Sequence, residues 1–176
     1  MIKINIKHIV SVLLILSFGL LAALVPGGPI ETRSFAHIAP LILAAFNTFL
    51  TTLGILSVLL VYFILKNRHW ALVISALCGV SYFLVYALDL GKIFPISPDP
   101  MPQTLFIIEL LGSIASVPLI LVSISRVISI YNSHQPATIS QSYPNRFGYL
   151  FGYLISFLVI VGIGIIIFAT QSAMDH

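Results

Sequence analysis

Five apolar stretches, at about 9–25, 40–65, 70–90, 102–130 and 148–170, alternate with short polar connections along the chain. A helix rises about 1.5 Å per residue and a bilayer core is ~30 Å thick, so each stretch is of spanning length. The pattern predicts an all-α integral membrane protein, a bundle of five transmembrane helices forming one domain over residues 1–176. Pro40 suits the first turn of the second helix, where its missing N–H costs nothing. Pro118 lies inside the fourth, so a kink is expected there, with Ser113 or Ser116 re-satisfying the freed carbonyl. The first stretch follows a short basic start with Lys3 and Lys7, the general form of a cleaved signal peptide. Its length of 17 residues and the lack of a small-x-small site before Pro26 favour a retained anchor.

Composition supports this class. Hydrophobic residues make up 59% of the chain and charged residues 7%, against roughly 25% charged in an average soluble domain. The net charge of +3 forms no patch, so no nucleic-acid partner is expected and the bilayer is the primary surrounding. The lone cysteine, Cys78, excludes a disulfide framework.

The bases orient the bundle. If the N-terminus is cytoplasmic, Lys3, Lys7, Lys66, Arg68, Arg126 and Arg146 lie inside, while Arg33 and Lys92 lie outside. Positive residues concentrate on the cytoplasmic face, so the expectation is N-terminus in, C-terminus out, in a plasma or bacterial inner membrane.

That orientation gathers the unusual chemistry on the outer face. Between the third and fourth helices, residues 94–102 contain four prolines, each of which fixes φ and biases the residue before it, so the loop reads as a stiff cap. Glu31, Arg33, His37, Asp89, Lys92, Asp99 and Glu109 belong to the two outer connections or the adjoining helix ends and form the candidate polar cluster. The competing reading is a solvated rim that sets helix depth. Asp89 ends a helix, where the dipole disfavours a negative charge, and so calls for a partner: Lys92 locally or Arg33 from the other loop. Glu109 lies about seven residues into the fourth helix, ~10 Å below its start, and should face protein or water, with Tyr82, Tyr86, Lys92 and Arg33 in reach.

Small and weakly polar residues recur at helical spacing. Ser75, Cys78, Gly79, Tyr82, Tyr86 and Asp89 share a stripe on the third helix, and Glu109, Gly112, Ser113, Ser116 and Ser123 one on the fourth. Asn47, Thr48, Thr51, Thr52 and Gly54 form a polar arc on the second, and Gly148, Gly152 and Ser156 recur on the fifth. Close helix packing accounts for most of these, while Asn47, Thr51, Tyr82, Tyr86, Ser113, Ser116 and Glu109 are the candidate lining of a polar cavity under the cap.

No phosphate loop, zinc-protease, Cys-x-x-Cys or nucleophile-elbow motif occurs in the sequence. No cofactor or resident metal is therefore expected, although His37, Glu31, Asp89 and Glu109 are chemically capable of holding a hard cation or zinc. The favoured reading is a non-enzymatic accessory or interaction subunit, in a homo-oligomer or with a membrane-protein partner. The alternatives are a small transporter, channel or proton-linked carrier using Glu109 and Asp89, and a membrane enzyme acting at the outer leaflet.

Overall fold

The computed structural model describes residues 6–26, 28–132 and 145–174, with side chains in the last helix described at Ser156 and from residue 159 onward. The described chain is all helical: α1 Ile6–Ala23, α2 Pro40–Leu65, α3 His69–Leu90, α4 Gln103–Asn132 and α5 Asn145–Met174. Every predicted helix is present within a few residues of its expected limits. Helices α1 to α4 are each long and apolar enough to cross a membrane.

The helices alternate in direction. Arg33, between α1 and α2, reaches Asp89 at the end of α3, and Phe35 donates its N–H to the carbonyl of Ala173 near the end of α5 at 3.0 Å. One end of the bundle therefore collects both proline-bearing connections. The opposite end holds the α2–α3 turn, with Lys7 of α1 and Arg126 of α4 beside it.

Helices α3 and α4 form the most extensive pair, α1 packs across α2 and α4, and α5 leans on α2 alone among the described helices. The α3–α4 approach depends on two glycines. A Cβ on Gly79 would stand 2.8 Å from Ile120 Cγ1, and a Cβ on Gly112 would overlap the Tyr86 ring. Dispersion and close fit drive helix association in lipid, so a missing side chain at such a crossing is what lets the contact form.

The predicted interior stripes face inward. Ser75, Cys78, Gly79, Tyr82, Tyr86 and Asp89 of α3 are buried, as are Glu109, Gly112, Ser116 and Ser123 of α4. Outer faces are apolar instead: Leu41, Leu77, Ile114 and Leu121 are among the most exposed side chains. A water-soluble bundle would invert that pattern.

Three packing expectations need correction. On α2, Asn47 and Gly54 are buried and Thr51 is half-buried, but Thr48 and Thr52 face outward. Thr48 tolerates this because its hydroxyl donates to the carbonyl of Ala44 at 2.7 Å, a back-bond that hides its polarity. In α4, which is continuous across Pro118, it is the partner of the serine that differs. Ser116 donates to the Ser113 carbonyl at 2.7 Å, rather than to that of Ile114, which the missing Pro118 N–H leaves free. On α5, Ser156 is exposed, and the close contact is made by Gly162, whose added Cβ would lie 2.7 Å from Ile55 Cδ1. The burial of Gly148 and Gly152 and the placing of the polar connection at 133–144 lie outside the described residues.

Candidate functional site

The site is built around Arg33. The turn after α1 carries Glu31 and Arg33 inward, so both are 5% exposed although they belong to a connection. Arg33 Nε donates to Glu31 Oε1 at 2.9 Å and its Nη2 to Glu31 Oε2 at 2.6 Å. The other edge of the guanidinium donates through Nη1 and Nη2 to Asp89 Oδ1 and Oδ2, at 2.9 and 2.7 Å. Both carboxylates are thus held as two-bond forks, the geometry a planar guanidinium favours. The Phe35 ring lies against the cation, with its centroid 5.3 Å from Arg33 Cζ. Burial by itself works to lower the Arg33 pKa, but the bonds and charges from Glu31 and Asp89 outweigh it and raise it further above the ordinary arginine range. Arg33 is charged at any accessible pH.

Glu109 comes in from α4 as a third carboxylate. Its Oε1 stands 4.0 Å from Arg33 Nη2, an ion-pair distance beyond hydrogen bonding. Its Oε2 is buried with no partner, as is the Tyr86 hydroxyl. Both side chains are about 1% exposed. They line a cavity of about 50 Å³ together with Glu31, Asp89, Asn47 and Pro95. Tyr82, one turn deeper on α3, shares a 2.9 Å hydrogen bond with Ser57 and stacks on Tyr86 with ring centroids 6.4 Å apart.

The loop above is tied down separately. Asp99 accepts the Ser34 N–H at 2.8 Å, and Ser97 donates to the Ser34 carbonyl at 3.0 Å. An upper cavity of about 270 Å³ lies between this loop and Arg33, with Asp89 and Lys92 also at its wall.

The predicted cluster of seven therefore divides. Glu31, Arg33, Asp89 and Glu109 converge; Asp99 joins the two loops at the surface; His37 and Lys92 are exposed. Of the two partners expected for Asp89, the distant Arg33 is the one present. Lys92, with its backbone at φ 53°, meets Asp89 through its backbone N–H, which donates to the Asp89 carbonyl at 2.8 Å. A cation held by His37, Glu31, Asp89 and Glu109 is not what the geometry offers, because the guanidinium sits among the carboxylates. Among the described residues no group of three or more His, Cys, Asp or Glu side chains is arranged to hold a metal ion.

The polar lining is also selective. Asn47, Tyr86 and Glu109 reach the cavity. Thr51 lies deeper, beside an apolar groove of about 140 Å³. Ser113 is half-buried with an unpartnered hydroxyl, and Ser116 bonds within its own helix. Sequence reasoning missed Ser57, the buried partner of Tyr82. Its signal was position: it lies one helical turn beyond Gly54 and so continues the polar arc of α2. Its hydroxyl also meets the Leu53 carbonyl at 2.9 Å.

Over the described residues, fold and site together define an all-helical protein with four helices long and apolar enough to cross a membrane and an arginine–carboxylate cluster buried at one end. Residues 6–141 match the family described as Domain of unknown function (DUF8051), and the chain belongs to that family. No curated protein and no solved structure matches the chain.

Proposed function

We propose that this chain is a five-span protein of a plasma or bacterial inner membrane, with its N-terminus cytoplasmic and its C-terminus outside. In this reading it serves as a non-enzymatic accessory or interaction subunit, its outer cap presented to a partner. The observation that carries the proposal is the engagement of Arg33: its side chain is turned inward and bonded on both edges to Glu31 and Asp89, which ties the first connection to α3. Such a latch shapes a surface and leaves little free chemistry for catalysis. The alternating helix directions and the bases at the α2–α3 end support the orientation.

Tags at Met1 and within 133–142 should report cytoplasmic, and tags within 96–100 or after His176 the opposite side. Native electrophoresis of mildly solubilised membranes should show the chain in a complex larger than its own 19.2 kDa, and purified protein in vesicles should dissipate no proton gradient.

A proton-linked carrier is the second reading, supported by the unpartnered Glu109 carboxyl oxygen beside Asp89. Proton flux in those vesicles that Glu109→Gln abolishes would establish it in place of the first.

A further inference from the structure

We propose that the cavity beside Glu109 receives the primary ammonium head of a single-chain amphiphile, whose alkyl chain lies in the apolar groove between α1, α2 and α5. This goes beyond the accessory role and does not depend on it.

Charge is the first argument. Glu31 and Asp89 contribute two negative charges and Arg33 one positive, a formal sum of −1 before Glu109 is counted, in a site where each of these residues is 9% exposed or less. Arg33 is already committed to two of the carboxyl groups, so the third has it only at an ion-pair distance of 4.0 Å, with no hydrogen bond from it. A buried carboxylate oxygen without a donor is costly, and a donor bearing positive charge meets both deficits.

The unpartnered groups supply the bonding pattern. An ammonium has three donors; Glu109 Oε2 and the Tyr86 hydroxyl oxygen are two buried atoms without partners on the wall of one cavity. Size restricts the head. A water needs roughly 10–15 Å³ of such volume, so about 50 Å³ accommodates an ammonium and its first methylenes but no bulky phosphorylated group.

Continuity places the chain. Leu21, Leu24, Pro26, Asn47 and Leu50 line both this cavity and the groove of about 140 Å³, which extends along Phe18, Gly54 and Val58 to Gly162 and Ile165. Since α1 and α5 do not touch among the described residues, the groove lies over α2 between two separated helices. An alkyl chain there would replace contact with lipid by contact with protein, and the charged side chains lining the polar end of the path, Glu31, Asp89 and Glu109, are all acidic.

The test uses the purified full chain in a non-ionic detergent, titrated separately with dodecylamine, dodecanol and dodecanoate and followed by native mass spectrometry. The expected result is one amine per chain, bound at least tenfold more tightly than the alcohol or the acid. Glu109→Gln should weaken amine binding at least tenfold while the chain still unfolds cooperatively. Val58→Phe, which narrows the groove and leaves the acids in place, should weaken it as well. Selectivity among the three probes needs no variant, so it decides the matter even if a substitution prevents folding. An amine preference below tenfold, no amine adduct, or undiminished amine binding by a folded Glu109→Gln chain would overturn the proposal.

Discussion

At one end of the bundle Arg33 is 5% exposed and bonded to Glu31 and Asp89. At the other, Arg126 is exposed on α4, near Lys7, Arg68 and His69 around a cavity of about 50 Å³. Both ends carry arginine, yet the cation is structural at one and peripheral at the other. The difference follows from the connections. The α2–α3 turn at Lys66–Arg68 is short and keeps its side chains near the surface, whereas the connection from Pro26 to Ala39 is long enough to fold back between helix ends. Once inside, an arginine must bring its counter-charges with it. Three of the five acidic residues of the chain are buried with Arg33, which explains why so few charges suffice to make one highly organised end.

The largest expected effect separates the two arginines directly. Arg33→Met leaves buried carboxylates without their cation and should destabilise the protein by about 3–5 kcal/mol, whereas Arg126→Met should change stability by no more than about 0.5 kcal/mol. Denaturant unfolding in detergent micelles checks both. Equal losses would erase the distinction.

The next effect tests whether the ordered end depends on a tight helix crossing. Gly112→Leu drives a side chain into the Tyr86 ring and should cost about 1–3 kcal/mol as overpacking. At Gly164, where an added Cβ would meet nothing within 4 Å, Gly164→Ala should be neutral or stabilising by up to about 1 kcal/mol through helix propensity. Thermal unfolding of the two variants in parallel gives the comparison.

A smaller effect belongs to the loop. Asp99→Ala removes the acceptor for the Ser34 N–H and should cost about 0.5–1.5 kcal/mol. Hydrogen exchange should rise at Ser34 and across 94–102 while α3 and α4 retain their protection.

The smallest is expected at the opposite turn. Asn67 adopts φ 56°, a conformation glycine enters freely, so Asn67→Gly should alter stability by only a few tenths of a kcal/mol. A loss comparable to that of Asp99→Ala would mean that the short turn is as tightly specified as the cap.

Hydrophobic length determined the helices, because an apolar run needs no knowledge of its neighbours to be recognised. Spacing along α3 and α4 similarly determined their inward faces, since residues three and four apart share a side: Tyr82, Tyr86 and Asp89 on one, Glu109, Gly112 and Ser116 on the other. The broader arc of α2 was less informative. Threonine can satisfy its hydroxyl on its own helix, so Thr48 carries no obligation to face inward. The sequence also supplied Arg33 as one of two partners for Asp89, but 56 residues separate the pair, and only the folded path of the first connection selects it over Lys92. Tertiary structure alone decided that Glu109 is left with an unpartnered oxygen, because this depends on Arg33 having placed its bonds elsewhere. It also decided that the acidic cavity meets an apolar groove, a juxtaposition set by how α1, α2 and α5 pack and encoded in no local pattern.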